Sequence, residues 1–135
     1  MADDKVGFEL VSPERLLLSE DVEMVVVPGA EGDFGVLPRH MPMISTVRPG
    51  VIRVFENGAV KDSIFVSGGF AEVTPERCTV LADQAMPLDE IDRAQAEQSL
   101  KEAREDLADA KDETESNAAK KAIAVAEAML QVSQG

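Results

Sequence analysis

The chain has 135 residues, enough for one ordinary domain or for a small domain with an appendage. Hydrophobic residues make up 44 % of it, but there are only five Phe and no Trp or Tyr, so a core must be built from Val, Ile, Leu and Met. A formal net charge of −13 argues against nucleic acid and anionic lipid as partners and favours cationic protein patches.

Cys78 is the only cysteine, which excludes an intramolecular disulfide and reads as a small core residue in a strand. His40 is the only histidine, so a His-rich metal site cannot be assembled, and no cofactor is expected. Residues 1–5 are acidic and no apolar segment of a secretory leader follows them. No apolar run approaches the roughly 20 residues of a membrane span. The expectation is a soluble protein made for the cytoplasm, with no direct membrane insertion.

The first half reads as strands. Val6, Phe8 and Leu10 alternate with Gly7 and Glu9, and Val22, Met24 and Val26 alternate with Glu23 and Val25. The apolar run 24–27 stops at Pro28-Gly29. Residues 51–55 lead into Glu56-Asn57-Gly58-Ala59, and residues 64–66 return from it. Asn-Gly between apolar runs is a strong hairpin signal, because a type I′ turn needs positive φ at both central residues. Residues 70–73 and 78–82 flank a second turn, Thr74-Pro75-Glu76-Arg77. Short strands at this spacing predict an all-β sandwich over residues 1–87.

The period changes after Pro87. Ala96, Leu100, Ala103, Leu107 and Ala110 form one helical stripe, and Ala118, Ala122, Val125, Met129 and Val132 another. Ala119, Ile123, Ala126 and Leu130 widen the second. The polar stretch 112–117 reads as the connection, so residues 88–135 are expected to form an α-helical antiparallel hairpin. Its Ala-rich stripes allow close approach but bury little area, which leaves the pair marginal by itself. Residues 1–87 carry 14 acidic and 7 basic side chains, and residues 88–135 carry 12 and 6, so neither half is a basic tail.

Catalytic signatures are missing. There is no Gly-x-Ser-x-Gly elbow, and the glycines at 29, 32 and 35 match neither the dinucleotide fingerprint nor a P-loop. An enzyme on a cupin-like sandwich would need a clustered His/Glu metal set that one histidine cannot supply. Residues 28–42 hold six Gly or Pro and therefore read as a loop of specified shape. In this reading Phe34, Val36 and Leu37 anchor it, while Glu31, Asp33, Arg39 and His40 stay at the surface as a docking loop.

The segment Glu31-Gly32-Asp33-Phe34-Gly35-Val36-Leu37-Pro38-Arg39-His40-Met41-Pro42 resembles the signature of the epsilon subunits of bacterial F-type ATP synthases. Ser67-Gly68-Gly69-Phe70-Ala71-Glu72-Val73, Val80-Leu81-Ala82-Asp83-Gln84-Ala85 and Phe8-Glu9-Leu10-Val11-Ser12-Pro13-Glu14 resemble further segments of that family, in the same order. The resemblance implies a non-catalytic central-stalk subunit, peripheral on the cytoplasmic face of the bacterial inner membrane. Its implied partners are the gamma subunit and the polar loops of the c-ring, with Glu31, Asp33 and His40 at ring-contact positions and Arg39 beside them. An extended hairpin would also reach the alpha/beta catalytic head and inhibit hydrolysis, although Lys120 and Lys121 are the only basic residues on the second helix. Some relatives bind ATP through a Leu/Ile-Asp-x-x-Arg-Ala motif. Here Asp89 and Arg93 are one residue too far apart, and no Arg follows residue 112. The expectation is that Asp89 caps the helix and pairs with Arg93, and that ATP binding is absent or millimolar. The alternative is a free-standing nucleotide-sensing or inhibitory regulator acting through the hairpin.

Overall fold

The computed structural model describes residues 4–133. The chain divides into two compact units after Pro87. The first contains β1 (Val6–Val11), β2 (Leu16–Val22), β3 (Met24–Gly29), β4 (Gly32–Val36), β5 (Met43–Val47), β6 (Gly50–Glu56), β7 (Ala59–Val66), β8 (Gly69–Val73), β9 (Arg77–Ala82) and β10 (Ala85–Pro87). Hydrogen bonds connect them in the order β10-β7-β6-β3-β5-β8-β9-β1-β2, with β4 added to β3. The β1–β9 pair is parallel and the other pairs are antiparallel.

Strand β3 is where the ladder divides into two layers. Met24, Val25 and Val26 pair with β6, whereas Gly29 pairs with Val47 of β5. Pro28 lies between them and has no N–H, so the ladder changes partner where a donor is missing. The layers enclose a core of Val6, Phe8, Leu10, Val22, Val25, Val27, Ile52, Val54, Val66, Val73 and Val80, with Cys78 among them. This is the β-sandwich expected from the alternating pattern.

Two details differ from the pattern. The alternation read through residues 22–26 is broken by a bend at Glu23, so Val22 and Val25 both face the core while Met24 and Val26 are only half-buried. Residues 28–42 are not one loop. Val25, Val27, Phe34 and Val36 pair across a β3–β4 hairpin whose two-residue turn is Ala30-Glu31. The glycines and prolines hid a strand whose side chains alternate normally. Val36 is buried and Phe34 half-buried as anchors, but Leu37 is exposed. The Asn57-Gly58 turn between β6 and β7 has φ of 54° and 77°, as its type I′ geometry demands.

The second unit holds a 3-10 turn, Leu88–Glu90, followed by α1 (Arg93–Asp109) and α2 (Glu113–Val132). The cap of α1 is Asp92 rather than Asp89: its carboxylate accepts from the Gln95 N–H at 3.2 Å. Asp92 is followed by Gln three residues on, which is the capping-box spacing, and Asp89 is not. Asp112 caps α2 in the same way, accepting from the Glu115 N–H at 2.8 Å. The connection is therefore only residues 110–112, and the polar stretch 113–117 is the solvated first turn of α2, where Glu113 and Glu115 favour the positive end of the helix dipole.

The α2 row that meets α1 is the one containing Ala119 and Ala126, both buried, whereas Ala118 and Ala122 are exposed. Ala96 and Ala103 are the buried residues of α1, also seven apart. Alanine on both sides lets the helices approach most closely along that seam. Arg93 does not pair with Asp89, because it begins the helix while Asp89 lies in the preceding turn. Its guanidinium donates to the Ser133 hydroxyl at 3.1 Å and to the Leu130 carbonyl at the far end of α2.

Candidate functional site

The four residues expected in one docking loop fall into two groups. Glu31 forms the tip of the β3–β4 hairpin, and Asp33 lies two residues into β4. Both are exposed. Arg39 and His40 lie beyond the other end of β4, whose five residues of extended strand separate them from Glu31 by about 16 Å and whose last three separate them from Asp33 by about 10 Å.

The tip is braced from its base. The Ala30 N–H donates to the Thr46 carbonyl at 2.8 Å, and the Arg48 N–H donates to the Pro28 carbonyl at 2.9 Å. The Arg48 guanidinium donates from Nη1 to the Gly29 carbonyl and from Nη2 to Asp33 Oδ1, both at 2.5 Å. Glu31 makes no ion pair among the described residues. The tip thus presents one compensated and one uncompensated carboxylate.

At the other end of β4, the His40 N–H bonds the Leu37 carbonyl across a tight turn with Pro38 at its second position. Arg39 occupies the third position with φ of 67°, where type II turns prefer glycine. Holding arginine there costs about 1–2 kcal/mol. The turn is pinned by a 2.8 Å bond from the Arg39 N–H to the Pro75 carbonyl. His40 Nδ1 lies 2.7 Å from the Met41 carbonyl, which places the proton of the neutral ring on that nitrogen.

A second surface was not singled out from sequence. On the outer face of β8, β9, β1 and β2 the register aligns Phe70 with Leu81, Leu81 with Val11, and Val11 with Leu16. Phe70 is 59 % exposed, Leu81 48 % and Leu16 56 %. The next row on the same face, Glu72, Thr79, Glu9 and Ser19, is polar. A continuous apolar row across four strands, bordered by polar residues, is the form of a protein-binding surface. The signal was present in the strand alternation: Phe70 shares its parity with Glu72, and Leu81 shares its parity with Thr79.

Cys78 points into the core at 0 % exposure, and burial pushes its thiol up to about 12, which makes it unreactive near neutral pH. Among the described residues no group of His, Cys, Asp and Glu is placed to hold a metal ion. No described helix is long and apolar enough to cross a membrane. On the hairpin, a shallow groove is lined by Glu97, Leu100, Lys101, Arg104, Glu105, Ala108 and Leu130; neither Asp89 nor Arg93 lines it.

Comparison with known proteins accounts for both units. Residues 5–88 match the family described as the ATP synthase Delta/Epsilon chain, beta-sandwich domain. Residues 92–135 match the family of C-terminal domains of the ATP synthase epsilon chain. The ATP synthase epsilon chain of Rhodospirillum rubrum is 56 % identical over 128 residues, spanning 95 % of this chain and 96 % of that one. The epsilon chain of Paramagnetospirillum magneticum is 56 % identical over 126 residues, with 93 % and 95 % covered. Among solved structures, a subunit of the Euglena gracilis mitochondrial ATP synthase superposes with a TM-score of 0.77 at 27 % identity, over 93 % of this chain and 79 % of that one. A subunit of the Tetrahymena thermophila mitochondrial ATP synthase shares the fold, with a TM-score of 0.73 at 15 % identity over 96 % and 97 % of the two sequences. With both units matched along almost their whole length, the chain belongs to the ATP synthase epsilon chain family.

Proposed function

We propose that this chain is a non-catalytic subunit of the central stalk of a proton-translocating F-type ATP synthase, joining the gamma subunit to the c-ring. It is placed peripherally, on the cytoplasmic face of a bacterial inner membrane, in line with its bacterial relatives. The observation that carries the reading is the apolar row Phe70, Leu81, Val11 and Leu16 on a rigid sandwich, which we assign to the gamma subunit. The acidic tip with Glu31 and Asp33 is assigned to the polar loops of the ring, where cationic side chains would complement it. The turn with Arg39 and His40 lies about 16 Å from the tip, so it meets the ring at a separate point or meets another subunit. The relative from Euglena comes from an assembly solved with its c-ring, which supports this placement.

Charge complementarity at an exposed tip is worth about 0–1 kcal/mol per pair, so the apolar row supplies most of the grip. Reversing both tip charges, Glu31→Lys with Asp33→Lys, is expected to lower gradient-driven ATP synthesis roughly fivefold while leaving ATP hydrolysis by the detached soluble head unchanged. Equal effects on both activities, or no effect on either, would remove the tip from the coupling path.

The hairpin adds a regulatory role only if it reaches the catalytic head. The free-standing regulator is disfavoured because it leaves the apolar row without a function. It predicts that removing residues 88–135 abolishes all activity of the protein; the stalk reading predicts that assembly survives. Nucleotide sensing is disfavoured too. Asp89 and Arg93 do not converge, and Glu97 and Glu105 line the groove beside Lys101 and Arg104. Calorimetry on the isolated protein is expected to detect no ATP binding below the millimolar range, and a micromolar constant would overturn this.

A further inference from the structure

The β3–β4 hairpin tip is held by a side chain that the signature motif does not include. Arg48 sits just after β5, and its planar guanidinium forks between a backbone carbonyl and a carboxylate. Nη1 donates to Gly29 O, at the last residue of β3, and Nη2 to Asp33 Oδ1, near the start of β4. One side chain thereby ties both arms of the hairpin, one on each side of the Ala30-Glu31 turn. The backbone on either side of β5's end reinforces it, through Arg48 N–H to Pro28 O and Ala30 N–H to Thr46 O. A fork of this kind fixes direction as well as distance, which a lysine ammonium cannot do.

We infer that Arg48 is a positioning residue for the acidic tip, that Asp33 is its strut partner, and that Glu31 is the carboxylate left to meet the cationic partner. This rests on the docking reading of the tip. It divides the two carboxylates by role. Asp33 acts within the subunit, with its charge compensated by Arg48, and Glu31 acts between subunits. The ion pair is exposed, at 42 % for Arg48 and 52 % for Asp33, so its removal leaves the sandwich folded. What is lost is the fixed aim of the tip.

The test uses the complete ATP synthase in inverted membrane vesicles and reads protons pumped per ATP hydrolysed. Arg48→Gln and Asp33→Asn are each expected to lower that ratio about threefold, and the double variant no further than either single one. Glu31→Gln is expected to lower it similarly, and adding Arg48→Gln to it should lower it little further, because the aim of the tip matters only while Glu31 meets its partner. Arg48→Lys, which keeps a charge beside Asp33 but cannot fork to Gly29 O, is expected to behave like Arg48→Gln. The thermal midpoint of the isolated protein should move by no more than about 3 °C in every case. Wild-type pumping by Arg48→Gln, full rescue by Arg48→Lys, or losses that multiply between Arg48→Gln and Asp33→Asn would overturn the strut. Wild-type pumping by Glu31→Gln would instead sink the docking of the tip, and the inference with it. The two failures are therefore read from different variants.

Discussion

Replacing Gly69 with alanine is expected to destabilise the sandwich by about 3 kcal/mol or more, the largest effect of a single methyl group in this protein. Two costs combine. Gly69 holds φ of 144°, a conformation that residues with a Cβ rarely adopt. A methyl group built there would also lie 2.0 Å from the Leu81 carbonyl oxygen on the neighbouring strand β9. That oxygen belongs to backbone in a paired strand, so it cannot move aside without breaking the β8–β9 ladder in which Gly69 faces Ala82. The damage would spread to the apolar row, because Phe70 and Leu81 are the residues the ladder brings together. Urea titration of the isolated protein, monitored by far-UV circular dichroism, reads the change. A midpoint within experimental error of the wild type would show that β8 and β9 do not approach so closely.

The second large effect separates binding from folding. Phe70→Lys together with Leu81→Lys is expected to weaken association with the gamma subunit at least 100-fold, while stability changes by less than about 1 kcal/mol. Both side chains are about half exposed and contribute little to the core. Lysine is tolerated on a solvated strand face, and Glu72 and Glu9 in the next row can receive the new charges. In a complex, however, two ammonium groups would have to be desolvated where an apolar row was buried. Surface plasmon resonance with immobilised gamma subunit gives the affinity. Unchanged affinity in a folded double variant would move the gamma contact to another face of the sandwich.

Much of the architecture is legible from local chemistry. Val6, Phe8 and Leu10 declare a strand with one buried face, and Asn57-Gly58 declares the turn that joins β6 to β7. The stripes through Ala96 and Ala103 declare a helix pair, because small residues repeat at the spacing of a seam. What stays hidden depends on pairing between distant strands. The β3–β4 hairpin is obscured because Pro28, Gly29, Gly32 and Gly35 carry loop character by composition, and only opposite partners such as Val27 and Phe34 reveal the ladder. The choice between the two adjacent rows of α2 is equally ambiguous in one dimension: both are apolar, and only contact with α1 selects Ala119 and Ala126.

The two surfaces proposed for docking divide in the same way. Glu31 and Asp33 stand out because two acids flank a glycine in a shaped segment. The different roles inferred for them rest on Arg48, 15 residues beyond Asp33, which no local pattern connects to them. Alternation puts Phe70 and Leu81 on the outer face of their strands, but only register joins them into an apolar row. Phe70, Leu81, Val11 and Leu16 come from four strands, and each alone is an ordinary residue of a kind common on protein surfaces.

Site-specific crosslinking in the assembled ATP synthase tests the stalk placement most directly. The native Cys78 is buried and unreactive, so single cysteines at Glu31→Cys and Leu81→Cys, labelled on the isolated chain before assembly, can carry a photoreactive thiol reagent without background from Cys78. The stalk placement yields products with the c subunit from position 31 and with the gamma subunit from position 81. Exchange of the two products, or the absence of both from an intact complex, would contradict it.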